Sequence, residues 1–511
     1  MSGRMNDPLQ SAGRRLFLKQ TGALASLGAG APLALNLAAT SALAAATASD
    51  YKALVCVFLH GGNDAFNTVL ATDDESWGSY TETRNQQPDS IALLRSGAAN
   101  RAARLGTPAW LGGVLPITAT TAQAGRSFAL HPCLGDLQGL FNTSKRLAVV
   151  ANVGPLVEPL SKADYLQSLK RKPRKLFSHN DQQSTWLALA PEGVAVGWGG
   201  RLADAVNSAN ASSLFTAISA SGDSVWLTGQ TVRQYQMSPA GPIRLGTMPD
   251  SKGVSRVYGS DVVGAALERI VSGTRNGHVM AADLAGVTQR SVQAERILSG
   301  ALPAAGVAPH GPATALQYTT LAGSKANNAL AQQLQVVART IAAQRTLGIK
   351  RQVFFVSISG FDTHSDQNRA HADLMARLNH GLQYFDNTLM AMGVSSQVTT
   401  FTASDFGRSF TSNGDGSDHG WGAHHFVMGG AVQGGDVHGL FPVLGRKNRN
   451  DNQFDASPDQ LHNGILLPRI SVDQYGAALG QWFGLNPSQL ADIFPNLVNF
   501  SGASRLALMR A

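Results

Sequence analysis

Residues 397–430 read QVTTFTASDFGRSFTSNGDGSDHGWGAHHFVMGG, and the organisation of the chain follows from them. Val398 to Thr402 is an apolar, β-branched run that predicts a buried strand. It breaks at Ser404-Asp405-Phe406-Gly407-Arg408, and a polar, Gly-rich loop follows. Asp418-His419-Gly420 then leads into a second apolar run, His425-Phe426-Val427-Met428. A carboxylate just past the C-terminal end of a strand, with a histidine on the next loop, is how an α/β sheet builds a metal or catalytic site. Taken singly, Asp405 reads as a helix N-cap and His419 as a loop histidine.

Two further stretches repeat the form. Ala53 to Leu59 is a continuous apolar run of the kind found in central parallel strands. It ends in His60-Gly61-Gly62-Asn63-Asp64-Ala65-Phe66-Asn67. Gln352 to Ile358 predicts a third strand, ending in Ser359-Gly360-Phe361-Asp362-Thr363-His364-Ser365-Asp366-Gln367. Strand C-termini of a parallel sheet share one edge, so the aspartates of these three loops, with His364 and His419, are expected to converge there. Carboxylates with imidazole suit a divalent metal such as zinc or manganese. N-capping remains the alternative for Asp64.

Between these strands the pattern is α/β. Leu134, Leu137, Leu140 and Phe141 predict a helix, and Leu147 to Val153 a strand. A helix is predicted near 325–346, with Leu330, Leu334, Val337 and Ile341 on one face. Another carries Leu374, Leu378, Leu382, Phe385, Leu389 and Met392, which are core positions. The expected fold is a doubly wound, mostly parallel sheet with helices on both faces, forming a single domain over 50–511. Residues 72–127 read as a polar surface insertion, and 205–310, rich in Ser, Gly and Thr, as a β-rich excursion. At Leu176-Phe177-Ser178-His179, Ser178 stands where a helix starts, as a cap or as a nucleophile.

The N-terminus carries Gly13-Arg14-Arg15-Leu16-Phe17-Leu18-Lys19, a twin-arginine motif, before an Ala/Gly/Leu-rich segment. Ala42-Leu43-Ala44 offers a cleavage site, so 1–44 reads as an export signal. Pro32 and Asn36 interrupt the apolar segment, so it is not read as a membrane anchor. The mature protein is expected in the periplasm or outside the cell, with the twin-arginine translocase as its partner during export. The chain has 511 residues and a net charge of +8, of which +3 lies in 1–44. The +5 that remains is too dilute for nucleic-acid binding. A denser run, Lys170-Arg171-Lys172-Pro173-Arg174-Lys175, is a solvated loop that can also draw in anions. Two cysteines, Cys56 and Cys133, are too few for a disulfide scaffold, and their pairing is left open.

In combination these motifs resemble the exported bacterial domain-of-unknown-function family 1501. The resemblance rests on the leader, His60-Gly61-Gly62-Asn63-Asp64, Leu130-His131-Pro132, Ser178-His179, Asp362-Thr363-His364, Gln367, Ser404-Asp405 with Arg408, and Asp418-His419-Gly420. That family in turn resembles the alkaline phosphatase and sulfatase superfamily. The likeness implies an α/β core with one or two divalent ions (zinc, manganese or calcium) held by Asp64, Asp362, His364, Asp405 and His419. It implies Ser178 as nucleophile, Arg408 or His179 steadying an anionic transition state, and a small phosphate or sulfate ester as substrate. The sequence departs from the superfamily at Phe406, which stands where a histidine ligand is usual, and in the short Asp362-to-His364 spacing. No Cys-x-Pro-x-Arg is present, so sulfatase-type cysteine maturation is not expected. The rival expectation is a non-catalytic metal-binding relative that serves an exported partner or a surface polysaccharide. An oxidoreductase is disfavoured, because no Gly-x-Gly-x-x-Gly follows a strand and no haem or iron–sulfur cysteine pattern occurs.

Overall fold

The computed structural model describes residues 50–123, 125–244, 256–273, 278–500 and 506–510. The expected export signal over 1–44 therefore lies outside the described residues. The strand predicted from Ala53 forms as Lys52–His60, buried along its whole interior. It pairs in parallel with Arg351–Ser359 on one side and Val398–Ser404 on the other. These are the three strands expected from the apolar runs, and they are immediate neighbours.

They lie in the middle of a ten-stranded sheet. Beyond Val398–Ser404 come Ala423–Met428, Leu147–Gly154 and Val437–His438; Ile470–Ser471 also pairs on Leu147–Gly154. Beyond Arg351–Ser359 come Ala217–Ser219, Tyr235–Ser238 and Gly241–Pro242. The sheet is mostly parallel, and Ala423–Met428 runs against both of its neighbours.

Side chains of the first strand alternate between two cores, as the period of two in a strand requires. Val55, Val57 and Leu59 enter one core with Leu137, Leu334, Ile341, Leu378 and Phe385. Those side chains come from helices Gly135–Asn142, Ala329–Ala342 and Gln367–Ala391. Leu54, Cys56 and Phe58 enter the other core with Trp186, Leu202, Leu479 and Ile493. Those come from His179–Ala188, Trp198–Val206, Val472–Phe483 and Pro487–Ile493. The architecture is thus mixed α/β, with helices on both faces of the sheet. Cys56 and Cys133 are free thiols.

Two segments differ from expectation. Residues 72–127 are not confined to the surface. Their helix Asp74–Arg84 buries Ser76, Ser79, Tyr80, Thr83 and Arg84, a polar face that hydropathy does not flag as internal. The stretch 205–310 is not uniformly β-rich. Its short strands extend the main sheet, but helices Asp261–Ser272 and Val279–Ala301 follow. The Ser, Gly and Thr content hid the Ala, Leu, Gln, Arg and Glu that favour helix in 279–301. Among the described residues, no helix is long and apolar enough to cross a membrane.

Candidate metal centre

The strand register sets the site. His60 lies opposite Ser359, and Leu59 opposite Ser404, so the loops that follow leave one edge side by side. The antiparallel strand Ala423–Met428 starts at that same edge, which brings in His419 just ahead of it. Helix His179–Ala188 begins there as well.

Three imidazole Nε2 atoms and one carboxylate meet at this edge. His419 Nε2 lies 3.1 Å from His179 Nε2 and 3.0 Å from His364 Nε2. Asp362 Oδ1 lies 3.0 Å from His364 Nε2 and 3.4 Å from His419 Nε2, and its Oδ2 lies 3.5 Å from His179 Nε2. Metal–nitrogen bonds of about 2.0–2.1 Å in a tetrahedron put neighbouring donor atoms roughly 3.3 Å apart. The separations among His179, Asp362 and His419, 3.1 to 3.5 Å, bracket that spacing, and these three offer ligand atoms within 4.8 Å of one another, a group that could hold an ion.

The other ring nitrogens explain why Nε2 faces inward. His419 Nδ1 meets the carbonyl of Phe177 at 2.9 Å. A carbonyl only accepts, so Nδ1 carries the proton and Nε2 keeps a lone pair. His179 Nδ1 meets Asp405 Oδ2 at 2.8 Å, and His364 Nδ1 lies 3.4 Å from Asp418 Oδ1. This is the outer-partner pattern of metal-binding histidines. Two lone pairs 3.1 Å apart repel unless a proton or a metal ion stands between them. The hydrogen bond to Asp405 raises the His179 pKa above its ordinary value, whereas burial lowers that of His419, so a proton shared by the pair rests on His179. Burial acts to raise the Asp362 pKa, but Arg408 together with His364 and His179 outweighs it and leaves the group below the usual range.

The scaffold is built to hold these rings. Phe406 is fully buried, with its ring 4.7 Å from both His179 and His419. Gly62 makes room for it, because a Cβ there would lie 2.3 Å from Phe406 Cε2. A Cβ on Gly61 would lie 2.4 Å from the Asp362 nitrogen. The two glycines of the first loop thus let Phe406 and Asp362 come close. Phe177 takes φ 72°, an unusual value for a bulky residue, and its carbonyl reaches His419.

The predicted site residues divide as follows. Asp362, His364 and His419 come together, and His179, expected near the transition state, joins Asp362 and His419 in the group that could hold an ion. Asp405 is buried behind His179 and accepts from it and from the Gly61 N–H, so it acts through the imidazole. Its other oxygen has no partner among the described residues. Asp64 is not a donor in this cluster. Arg84 binds both of its oxygens, Gln367 binds Oδ2, and Oδ1 caps helix Ala65–Thr68. A fully buried carboxylate finds an internal cation cheaper than exposure to an ion at the edge. Arg408 is equally buried, and its N–H groups go to Asp362, Gly61 and Ser417, so it does not reach out to an anion. Ser178 precedes the helix but does not cap it; its hydroxyl donates to Asp181 Oδ2 at 3.1 Å. Asp366 lies outside the cluster and pairs with Arg369. In the basic run, Lys170, Arg171 and Lys175 pair with Asp164, Glu158 and Asp181.

Arg84, Asp418 and the amide of Gln367 were not predicted as functional. Asp418, adjoining His419 in sequence, and Gln367, in the motif that follows Asp362, carried the usable signals.

Among curated proteins none matches the chain. Among solved structures, the crystal structure of Ps i-CgsB in complex with k-i-k-neocarrahexaose matches at 9% identity. That match covers 88% of this chain and 76% of the other, with a TM-score of 0.31. The model of a family described as protein of unknown function, DUF1501, matches residues 51–494, and the chain belongs to that family.

Proposed function

We propose that this protein is an exported, metal-dependent hydrolase of phosphate or sulfate esters, on a fold of the alkaline phosphatase and sulfatase kind. The observation that carries the reading is the meeting of three imidazole Nε2 atoms and the Asp362 carboxylate at one sheet edge. His179, Asp362 and His419 would hold one ion, with His364 against Asp362 and His419. Two imidazoles with one carboxylate favour zinc or a similar borderline metal over calcium, which takes oxygen donors. With Asp64 committed to Arg84 and Phe406 in place of a ligand, the donors suffice for one ion rather than two. Such an ion supplies positive charge that polarises an ester oxygen.

The chain's own residues supply the rest. Asp405 and Phe177 orient two of the rings, and Arg408 anchors Asp362. Side chains of Asp362 and His364 are 45% and 44% exposed, so an anionic ester can approach from that side. Ser178 is one residue from His179, and its hydroxyl must turn from Asp181 to attack. The twin-arginine leader supports export of the folded, loaded protein.

Metal analysis of the purified mature protein, then a panel of phospho- and sulfo-esters, tests the proposal. One equivalent of zinc-like metal and turnover abolished by His419→Ala are expected. A wild type that binds no metal refutes it.

One observation favours a second reading, a non-catalytic metal-binding module: Ser178 is committed to Asp181, and Arg408 to Asp362. Metal binding without turnover on any ester would establish that reading, and Ser178→Ala activity loss would exclude it.

A further inference from the structure

Gln367 and Asp64 recur beside the centre without belonging to it. Both are fully buried, and a continuous set of hydrogen bonds joins them to the cluster. Gln367 is the first residue of helix Gln367–Ala391. Its Nε2 donates to Asp64 Oδ2 at 2.7 Å. Its Oε1 accepts from the hydroxyls of Ser417, at 2.5 Å, and Thr363, at 3.3 Å. Thr363 is the residue between Asp362 and His364. Ser417 in turn accepts from Arg408, through its hydroxyl and its carbonyl, and Arg408 Nη1 donates to Asp362 Oδ1 at 2.7 Å. At the far end Arg84 clamps Asp64.

Chemistry dictates the amide. Asp64, ionised against Arg84, only accepts, so its neighbour must donate. Two hydroxyls arrive on the other side, where an acceptor collects both. Among side chains of this length, the amide alone offers a donor on one side and an acceptor on the other. Glutamate has the shape but would set two carboxylate oxygens against each other. Asp362 itself is 45% exposed, so packing does not fix it, and Arg408 must.

We propose that Gln367 is a positioning residue for the metal centre: through Thr363, Ser417 and Arg408 it holds Asp362 in register with the three imidazoles and so sets the affinity for the ion. The proposal rests on the metal-centre reading above. Outer partners of this kind typically change metal affinity 10- to 100-fold when altered.

The test is a competition titration of zinc against a chromogenic chelator, using metal-free mature protein shown to be folded by circular dichroism. Wild type, Gln367→Glu, Ser417→Ala and Leu479→Ala are compared. Leu479 lies in the opposite core, so its truncation lowers stability without touching the network. The first two variants are expected to bind zinc about 10- to 100-fold more weakly. Leu479→Ala is expected to stay within about twofold of wild type, as a distant site should. Wild-type affinity in both network variants overturns the proposal, as does an equal loss in Leu479→Ala. If Gln367→Glu does not fold, Ser417→Ala decides alone. A wild type that binds no zinc removes the metal-centre reading itself, and this proposal with it.

Discussion

Replacing Arg84 separates two accounts of Asp64, as a metal donor and as half of an internal ion pair. All five guanidinium N–H donors are matched. Nη1 donates to Asp64 Oδ2 at 2.6 Å and to Asn67 Oδ1 at 2.8 Å. Nη2 donates to Asp64 Oδ1 at 3.1 Å and to the Ser409 carbonyl at 3.0 Å, and Nε donates to the Phe410 carbonyl at 3.0 Å. Phe66, Tyr80 and Phe410 surround it, with ring centroids 5.2 to 5.9 Å away. Arg84→Met therefore leaves a dry carboxylate without its cation and the Ser409 and Phe410 carbonyls without this donor, while Asn67 Oδ1 keeps the Tyr80 hydroxyl. Breaking one partner of such a buried pair costs about 3–5 kcal/mol. Unfolding entropy of about 2.1 cal/mol/K per residue is roughly 1 kcal/mol/K for a chain of 511 residues, so the loss is about 3–5 °C in Tm. The exposed pair Arg95–Asp74 is the control, and its loss should cost under about 1 kcal/mol. The assay is thermal and urea unfolding of metal-free protein. The reasoning fails if Arg84→Met is as stable as wild type, or if Asp64→Asn strips the metal without destabilising the metal-free protein.

Three further outcomes are expected. Asp405→Asn removes the carboxylate that orients and charges His179, and should weaken zinc binding about 10- to 100-fold in a chelator competition; unchanged affinity would count against the outer-partner role. Burial lowers the pKa of His371 to about 4 and those of His424 and His425 to about 3. The unfolded chain takes up these protons near pH 6.5 while the native one refuses them, so stability is full above that pH and falls as pH drops towards 4. The slope is about 1.4 kcal/mol per pH unit for each histidine. His179 and Asp473, both shifted upward, act in the opposite sense, but His131, also held well below its ordinary value by burial, adds to the three, so the lowered histidines prevail. Urea midpoints of metal-free protein that stay level or rise from pH 7 to pH 5 would contradict this. Gly62→Ala drives a Cβ into Phe406 at φ +82°, and should cost about 1–2 kcal/mol and loosen zinc binding; a neutral result would show that the ring does not seat the imidazoles.

What the sequence exposes and what it hides follow from how each contact is encoded. Three central strands were legible because each is an unbroken apolar run, and parallel pairing then forces their ends onto one edge. The helix Gln367–Ala391 was legible because its core residues recur at helical spacing. Direction of side chains is encoded in neither signal. Asp64 and Asp405 look alike in sequence, each one or a few residues past a strand, yet one points down to Arg84 and the other lies behind His179. The difference lies with their partners. Arg84 sits on a helix with a polar inner face, and His179 starts a helix in which Ser178 draws attention first as a cap or nucleophile. A carboxylate beside a histidine is equally a metal donor or the acceptor that orients the donor. Sequence spacing cannot separate the two roles, because both need the same residues within a few ångströms. They separate on the imidazole: where Nδ1 meets the carboxylate, as in His179, Nε2 faces the cluster and the carboxylate stands one layer out. The proposed donor set is therefore richer in imidazole than the three aspartates and two histidines the sequence suggested, and of the zinc, manganese and calcium expected from it, zinc would suit that set best.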